Sequence, residues 1–361
     1  MKKSRTKPGL PAQTVKTDLK NLTLEELVRF MAELGEKPYR ARQIRKWLFR
    51  DGAVDFGQMT DLSRTVRDKL ADRAVIGRLE IARVDESADG TRKFLWRLGD
   101  DTGIESVLIP ERGHFTLCVS SQVGCAMGCR FCRTARLGLK RNLWPAEIID
   151  QVLESRARLP EGGKLTNLVF MGMGEPLANL ANVLQALAVL TDPGLTGLSR
   201  RHLSLSTVGL VPGLSQLAGI ATLGLTVSLN AADDRLRNWL MPINRRYPLE
   251  ELHRALEAFP LPRGRRITIA YVLLAGVNDA EKDAHNLARF LHGLKVKINL
   301  IPFNRWDGAE FERPGEEAVL AFQETLARKN YTVMIRKSKG QDVSAACGQL
   351  AGNLTPVRQS Q

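Results

Sequence analysis

Three cysteines within eight residues, Cys125, Cys129 and Cys132, lie in the stretch GCAMGCRFCRT. No other part of the chain concentrates reactive side chains so tightly. The spacing is three residues, then two. One short loop can therefore present three thiolates to a corner of a cubane [4Fe–4S] cluster, leaving the fourth iron open to a non-protein ligand. A structural zinc site is the alternative. It would need a fourth cysteine or histidine close by, and Cys118 and His114 are the nearest. Five cysteines in all, an odd number in a long chain, do not read as a disulfide framework.

Three thiols on a loop need a frame. From about residue 114 the chain alternates strand-like and helix-like segments. HFTLCVSS precedes the cysteine loop, and PAEIIDQVLESRAR follows it. LTNLVFMG, RHLSLSTVG, LGLTVSLNA, RRITIAYVLLAG and VKINLIPFN each lead into an amphipathic segment, and YTVMIRKS closes the series. Six β/α units predict a parallel sheet buried on both faces, and six rather than eight predict a partial barrel open at one side. Chemistry in such folds sits where strands end. The cysteine loop follows the first strand. The second ends in GMGEPL, with Gly172, Gly174 and Glu175. The third offers Ser206, the fourth Ser228 and Asn230, and the sixth Asn304. Glycines admit close backbone approach, and a carboxylate can hold an ammonium group. Serine and asparagine also cap helices, so each alone says little.

Upstream, Thr23 and Glu26 make a capping-box pattern before LEELVRFMAELG, followed by YRARQIRKWLFRDG and DLSRTVRDKLADR. The expected organisation is a flexible basic tail (1–20), a small basic helical domain (21–76), a β-rich connector (77–112), the β/α partial barrel (113–345) and a C-terminal segment (346–361). There is no apolar run of membrane-spanning length and no signal-peptide pattern, which predicts a cytoplasmic protein. The formal net charge of +14 points to a polyanionic partner, nucleic acid first. Residues 1–100 carry 22 Lys and Arg against 15 Asp and Glu.

The cysteine spacing on the first loop of a six-unit β/α chain resembles the radical S-adenosylmethionine (SAM) superfamily, in which SAM chelates the open iron and is cleaved to a 5′-deoxyadenosyl radical. CVSSQVGCAMGCRFCRT, FMGMGEPL, STVGLVPG, MPINRRYPLEEL and AACGQL together resemble the adenine-C2 methyltransferases of 23S ribosomal RNA and tRNA. That resemblance spans nearly the whole chain. It implies a [4Fe–4S] cluster on Cys125, Cys129 and Cys132, and SAM contacts at Gly174, Glu175, Ser206, Ser228, Leu229, Asn230 and Asn304.

The target chemistry accounts for the remaining cysteines. Adenine C2 is electron-poor and does not attack a SAM methyl group directly. The resemblance implies that Cys347 first takes a methyl group from one SAM. A radical from a second SAM then activates that methyl, and the resulting carbon adds to C2. Cys118 would resolve the Cys347–RNA adduct, leaving a transient disulfide. Glu105 would be the proton acceptor; a solvent-facing strand carboxylate is the plain alternative. The chain departs from the family pattern at Asn230, which stands where a histidine is usual, and at Arg305, where proline is common. Methylation at adenine C8 by the same five cysteines is the closest competing activity, and a non-enzymatic zinc-and-RNA-binding protein the more distant one. The expected partners are 23S rRNA, tRNA and a flavodoxin-type reductant, with the enzyme a monomer. Arg40, Arg42, Arg45, Lys46, Arg50, Lys140 and Arg141 are candidate phosphate contacts.

Overall fold

The computed structural model describes residues 16–218 and 223–354. Most of the basic tail lies outside them. The chain divides into two compact units, residues 1–78 and 79–361.

Among its described residues the first unit has three α-helices, with a two-residue parallel pairing between β1 (Thr17–Asp18) and β2 (Ala74–Val75). Helix α1 (Leu24–Glu33) starts at the expected capping box. Glu26 N–H donates to Thr23 Oγ1 at 3.2 Å, and Thr23 N–H donates to the Glu26 carboxylate at 2.8 Å. Leu27 and Met31 bury one face of α1. Ile44 and Leu48 do so for α2 (Tyr39–Phe49), and Val66 and Leu70 for α3 (Arg64–Arg73). The apolar residues recur every three to four positions, so each helix turns its charged residues outward.

The second unit is built on a ten-stranded sheet in the order β14-β13-β12-β11-β10-β9-β6-β5-β4-β3. Seven strands run parallel: β6 (His114–Cys118), β9 (Leu165–Phe170), β10 (Leu203–Thr207), β11 (Gly224–Ser228), β12 (Ile267–Leu273), β13 (Val296–Pro302) and β14 (Val333–Ile335). Helices α5 (Pro145–Arg156), α6 (Leu180–Leu190), α7 (Val211–Leu217), α8 (Asp234–Leu240) with α9 (Leu249–Glu257), α10 (Glu281–Phe290) and α11 (Glu316–Arg328) connect them. The six β/α units of the partial barrel are present, and the sheet stays open between its edge strands β14 and β3. β12 (ITIAYVL) is a near-continuous run of β-branched, aromatic and other apolar residues, and Ile269 and Tyr271 are fully buried, as a strand covered on both faces requires.

The connector does not stand apart from the barrel. β3 (Glu80–Glu86), β4 (Arg92–Arg97) and β5 (Gly103–Glu111) form an antiparallel meander, and β5 pairs with β6 from Val107 opposite Cys118 to Glu111 opposite His114. The sheet therefore continues through it. Phe94 and Trp96 on β4 stack at 5.2 Å and are buried, and the Trp96 indole donates to Ser106 Oγ at 2.7 Å. After β6, a short hairpin of β7 (Gln122–Gly124) and β8 (Leu139–Asn142) brackets the cysteine loop and α4 (Arg133–Arg136). Among the described residues no helix is long and apolar enough to cross a membrane.

Candidate active site

The cysteine loop is held by its backbone. Cys125 N–H donates to Gly138 O at 3.0 Å, Cys132 N–H to Cys129 O at 3.1 Å, and Arg130 N–H to Leu240 O at 3.0 Å. Cys129 and Phe131 are packed into an apolar cluster with Met241, Phe303 and Trp306. The loop thus rests on the C-terminal ends of the strands, where the strand-end rule placed it.

Below it opens a cavity. Its wall carries Cys125, Cys129 and Cys132 together with Gly174, Glu175, Ser206, Ser228, Asn230, Asn304 and Cys347. All five cysteines are free thiols. Burial pushes the Cys125 thiol up to about 12, and it raises Cys129 and Cys132 too. These groups are therefore protonated until a metal displaces their protons. Among the described residues no three His, Cys, Asp or Glu side chains are grouped as a single metal ion would need. Three thiols of one short loop on one cavity wall match the three-cysteine donor set of a [4Fe–4S] cluster with one iron left open.

Glu175 follows β9. Its carboxylate accepts from Leu177 N–H at 3.1 Å and Val208 N–H at 2.9 Å. Burial nevertheless raises its pKa to about 7, against these bonds and one from the Thr207 side chain. Such a group gains most from an arriving cation. Gly174 beside it has φ +98°, and a Cβ there would sit 2.5 Å from Gln122 Cβ. Gln122 also accepts the Glu175 N–H at 2.8 Å, so the turn is fixed from two sides. Gly174→Ala is expected to leave the fold and the cysteine loop intact and to weaken SAM binding at least tenfold, since the displaced turn carries Glu175 with it. Calorimetric titration measures this, and wild-type affinity would refute the assignment.

Asn230, on the cavity wall, is braced by its neighbours. It has φ +58°, a left-handed conformation that asparagine tolerates well. Its Oδ1 accepts from Val272 N–H at 2.8 Å, its Nδ2 donates to Met241 Sδ at 3.2 Å, and its carbonyl accepts from Asn278 Nδ2 at 2.8 Å. The residue that replaces the usual histidine therefore joins the fourth and fifth strand ends. Leu229, expected to contact SAM, is absent from the cavity wall: its side chain is fully buried and its N–H donates to Ala270 O. Its carbonyl accepts from the buried Arg237, which also donates to Asn244 Oδ1 at 2.6 Å and Val208 O at 2.8 Å. Burial lowers Arg237 to about 10. No motif marked this residue, yet it ties two strand ends together. Arg237→Met should leave three acceptors without their donor, two of them buried, and cost about 3–5 kcal/mol of stability. A denaturant midpoint tests this, and a loss below about 1 kcal/mol would contradict it. Arg305, the other departure, pairs with Glu312 at 3.3 Å near the surface.

The C-terminal segment lies against the site as a strap. Cys347 O accepts from Asn304 Nδ2 at 3.2 Å, Gly348 O from Arg133 N–H at 2.8 Å, and Leu350 O from Thr134 Oγ1 at 2.7 Å. Glu105 secures the far end. It is buried, not solvent-facing, and its Oε2 accepts from Ala351 N–H at 2.7 Å and Gly352 N–H at 3.1 Å. Lys93, also buried, stands 3.5 Å from Oε1. Glu105 does not line the cavity in this arrangement. Cys118 lines a second, smaller cavity, and Cys347 opens on both. Burial pushes the Cys118 thiol up to about 12.

Of the candidate phosphate contacts, Arg141 is redirected. It makes a bidentate pair with Glu147 at 2.8 Å and a bond to Asp100 at 2.7 Å. Arg50 pairs with Asp51 at 2.8 Å, and Arg40 donates to Gln43 and to Asp61 O. Arg42 and Lys46 are exposed one helical turn apart, and Lys140 is exposed.

Residues 119–288 match the radical SAM superfamily model, and residues 17–76 match the ribosomal RNA large subunit methyltransferase N-terminal domain. A crystal structure of a radical SAM methyltransferase from Sphaerobacter thermophilus superposes with a TM-score of 0.88 at 43% identity, covering 93% of this chain and 100% of that one. Fold and site together define a radical SAM methyltransferase, which implies a [4Fe–4S] cluster and SAM as cofactors. The dual-specificity RNA methyltransferase RlmN of Desulfosudis oleivorans is 52% identical over 345 residues, 95% of this chain and 93% of its own length. That of Syntrophus aciditrophicus is 49% identical, covering 93% and 96%. The chain belongs to the RlmN family of dual-specificity RNA methyltransferases.

Proposed function

We propose that this enzyme methylates C2 of an adenine in 23S rRNA and in tRNA, with Cys347 as methyl carrier and Cys118 as resolving thiol. One observation carries the reading: Cys347 stands on the wall between the cavity of the cluster cysteines and the cavity of Cys118. A carrier that must be activated in one place and released in another needs that position. Cluster and SAM, when bound, supply one-electron cleavage of the sulfonium to a carbon radical. Cys125, Cys129 and Cys132 would hold the cluster, and Glu175 would hold the SAM ammonium group. Cys347 would take a methyl group from one SAM by nucleophilic substitution; that methyl would give up a hydrogen atom when the second SAM is cleaved, and its carbon would join C2, with the C2 proton passing to a base and one electron returning to the cluster. Cys118 attacks the Cys347 sulfur and frees the methylated base, so a disulfide exists only after release. For Glu105 to accept the C2 proton, the strap must first leave it, since its oxygens are taken by Ala351, Gly352 and Lys93.

Mass spectrometry of RNA digests after anaerobic reaction with SAM tests this reading. 2-Methyladenosine is expected, whereas 8-methyladenosine would overturn the regiochemistry. The target base must leave its stack to reach a cavity of this kind. The first unit supplies a basic helix for the backbone. Reversing Arg42 and Lys46 to glutamate should weaken RNA binding and flatten the slope of log affinity against log salt by about 1.4, if each meets one single-stranded phosphate. Unchanged binding would remove α2 from the interface.

A further inference from the structure

Arg336 has no part in the chemistry described so far. It directly follows β14, and its N–H donates to Leu300 O at 2.8 Å. Its side chain lines both cavities, a property it shares only with Met171 and Cys347. The polar contact of its guanidinium is a long one, to Met171 Sδ at 4.0 Å. Among the described residues no carboxylate lies within ion-pair distance, and Glu111 acts on it only through space. A half-buried guanidinium with no carboxylate beside it, at the junction of the two cavities, can meet an anion that arrives during turnover.

Two thiols flank it. Cys347 and Cys118 both favour the charged form of Arg336, and Arg336 favours the thiolate of Cys118, which burial otherwise opposes. Lys339 also lines the smaller cavity, but it is an exposed residue. The attacking species in sulfur exchange is the thiolate. Cys118 must therefore ionise where its surroundings resist charge, and Arg336 is the cation shared by the two cavities.

We infer that Arg336 is a positioning residue for adduct resolution, its guanidinium stabilising Cys118 as the thiolate that attacks Cys347. This rests on the roles of Cys118 and Cys347 proposed above. In the step, Cys118 gives up its proton and a sulfur–sulfur bond to Cys347 forms. The bond from Cys347 sulfur to the methylene carbon breaks, and its electron pair moves onto that carbon and the adenine ring. The carbon takes up one proton and becomes the methyl group. The two sulfurs are oxidised by two electrons and the carbon is reduced by two.

Single-turnover reactions of R336Q and R336K with SAM and RNA test the inference. Denaturing gels follow the adduct, and mass spectrometry follows free methylated RNA. R336Q should form adduct but release product at least tenfold more slowly, so the ratio of adduct to product rises by that factor. R336K keeps the charge and should recover most of the release. Release by R336Q at the wild-type rate overturns the inference, as does R336K being as defective as R336Q, which would mean that shape rather than charge matters. If R336Q fails to assemble its cluster, judged by visible absorbance, R336K decides alone: tenfold or greater accumulation of adduct in it refutes the role. Cys118→Ala is run beside them. If it traps no adduct, the underlying reading falls; if it traps adduct while R336Q does not, only the role of Arg336 falls.

Discussion

Replacing Cys118 by alanine is expected to stop release of methylated RNA and to leave RNA covalently bound through Cys347. The substitution is small, and the site lies at the end of β6 on the wall of the lesser cavity, away from the cysteine loop. Activation and addition should therefore proceed while the link to RNA has no partner to break it. The band should survive denaturation, and peptide mapping should place the link at Cys347. The yield should approach one RNA per active enzyme. Free methylated RNA without an adduct would sink the resolving role. Cys347→Ala separates the possibilities further, since it removes the carrier and should give neither adduct nor product.

Glu175→Gln should reduce SAM affinity roughly 30- to 150-fold, as expected for removal of one charge-assisted contact of about 2–3 kcal/mol. The pH dependence makes the test sharper. Burial raises Glu175 from its ordinary 4.5 to about 7, so the ligand-free site is largely neutral in mild acid. An ammonium group is held by the ionised form, and below pH 7 binding must first expel a proton. Affinity should then fall about tenfold per pH unit as pH drops below 7, and the glutamine variant should show no such slope. Stability runs the other way. A carboxyl whose folded-state pKa is raised contributes stability that is complete below about 4.5 and is lost as pH rises through about 7. SAM should therefore stabilise the protein more at pH 8 than at pH 6. A pH-independent SAM affinity in the wild type would refute the assignment of Glu175.

The architecture was open to reading because its causes are local. Apolar, β-branched runs such as ITIAYVL make strands wherever they occur, and Thr23 with Glu26 writes a helix start into four residues. The strand-end rule then assembled the cavity wall from residues far apart in sequence. What escaped depends on partners that no local pattern names. Glu105 sits in GIESVLIPE, where β4, β6 and the strap bury residues 103–109 without alternation, so the period-two signal that marks an exposed face is absent. Leu229 and Arg237 hold each other through a backbone carbonyl and not through a motif. Asn230 stands on the cavity wall, and that its amide also braces Val272 and Met241 is something no local pattern names. Arg336 was within reach of the same strand-end rule, had it been applied to the seventh strand as well as the first six.

The strap is fastened largely through its main chain, at Cys347 O, Gly348 O, Leu350 O and the amides of Ala351 and Gly352. Bonds of this kind are each worth about 1 kcal/mol, so the segment can peel off and return without loss of the fold. Cys118 consequently meets its target as a tethered group, at an effective concentration in the millimolar range or above. Free thiols at lower concentration should compete poorly for the same sulfur. The proposed cycle then splits kinetically in two. Release of product is intramolecular and indifferent to added thiol, whereas restoring the Cys118 and Cys347 thiols draws on an outside reductant, whose supply sets the ceiling on repeated turnover.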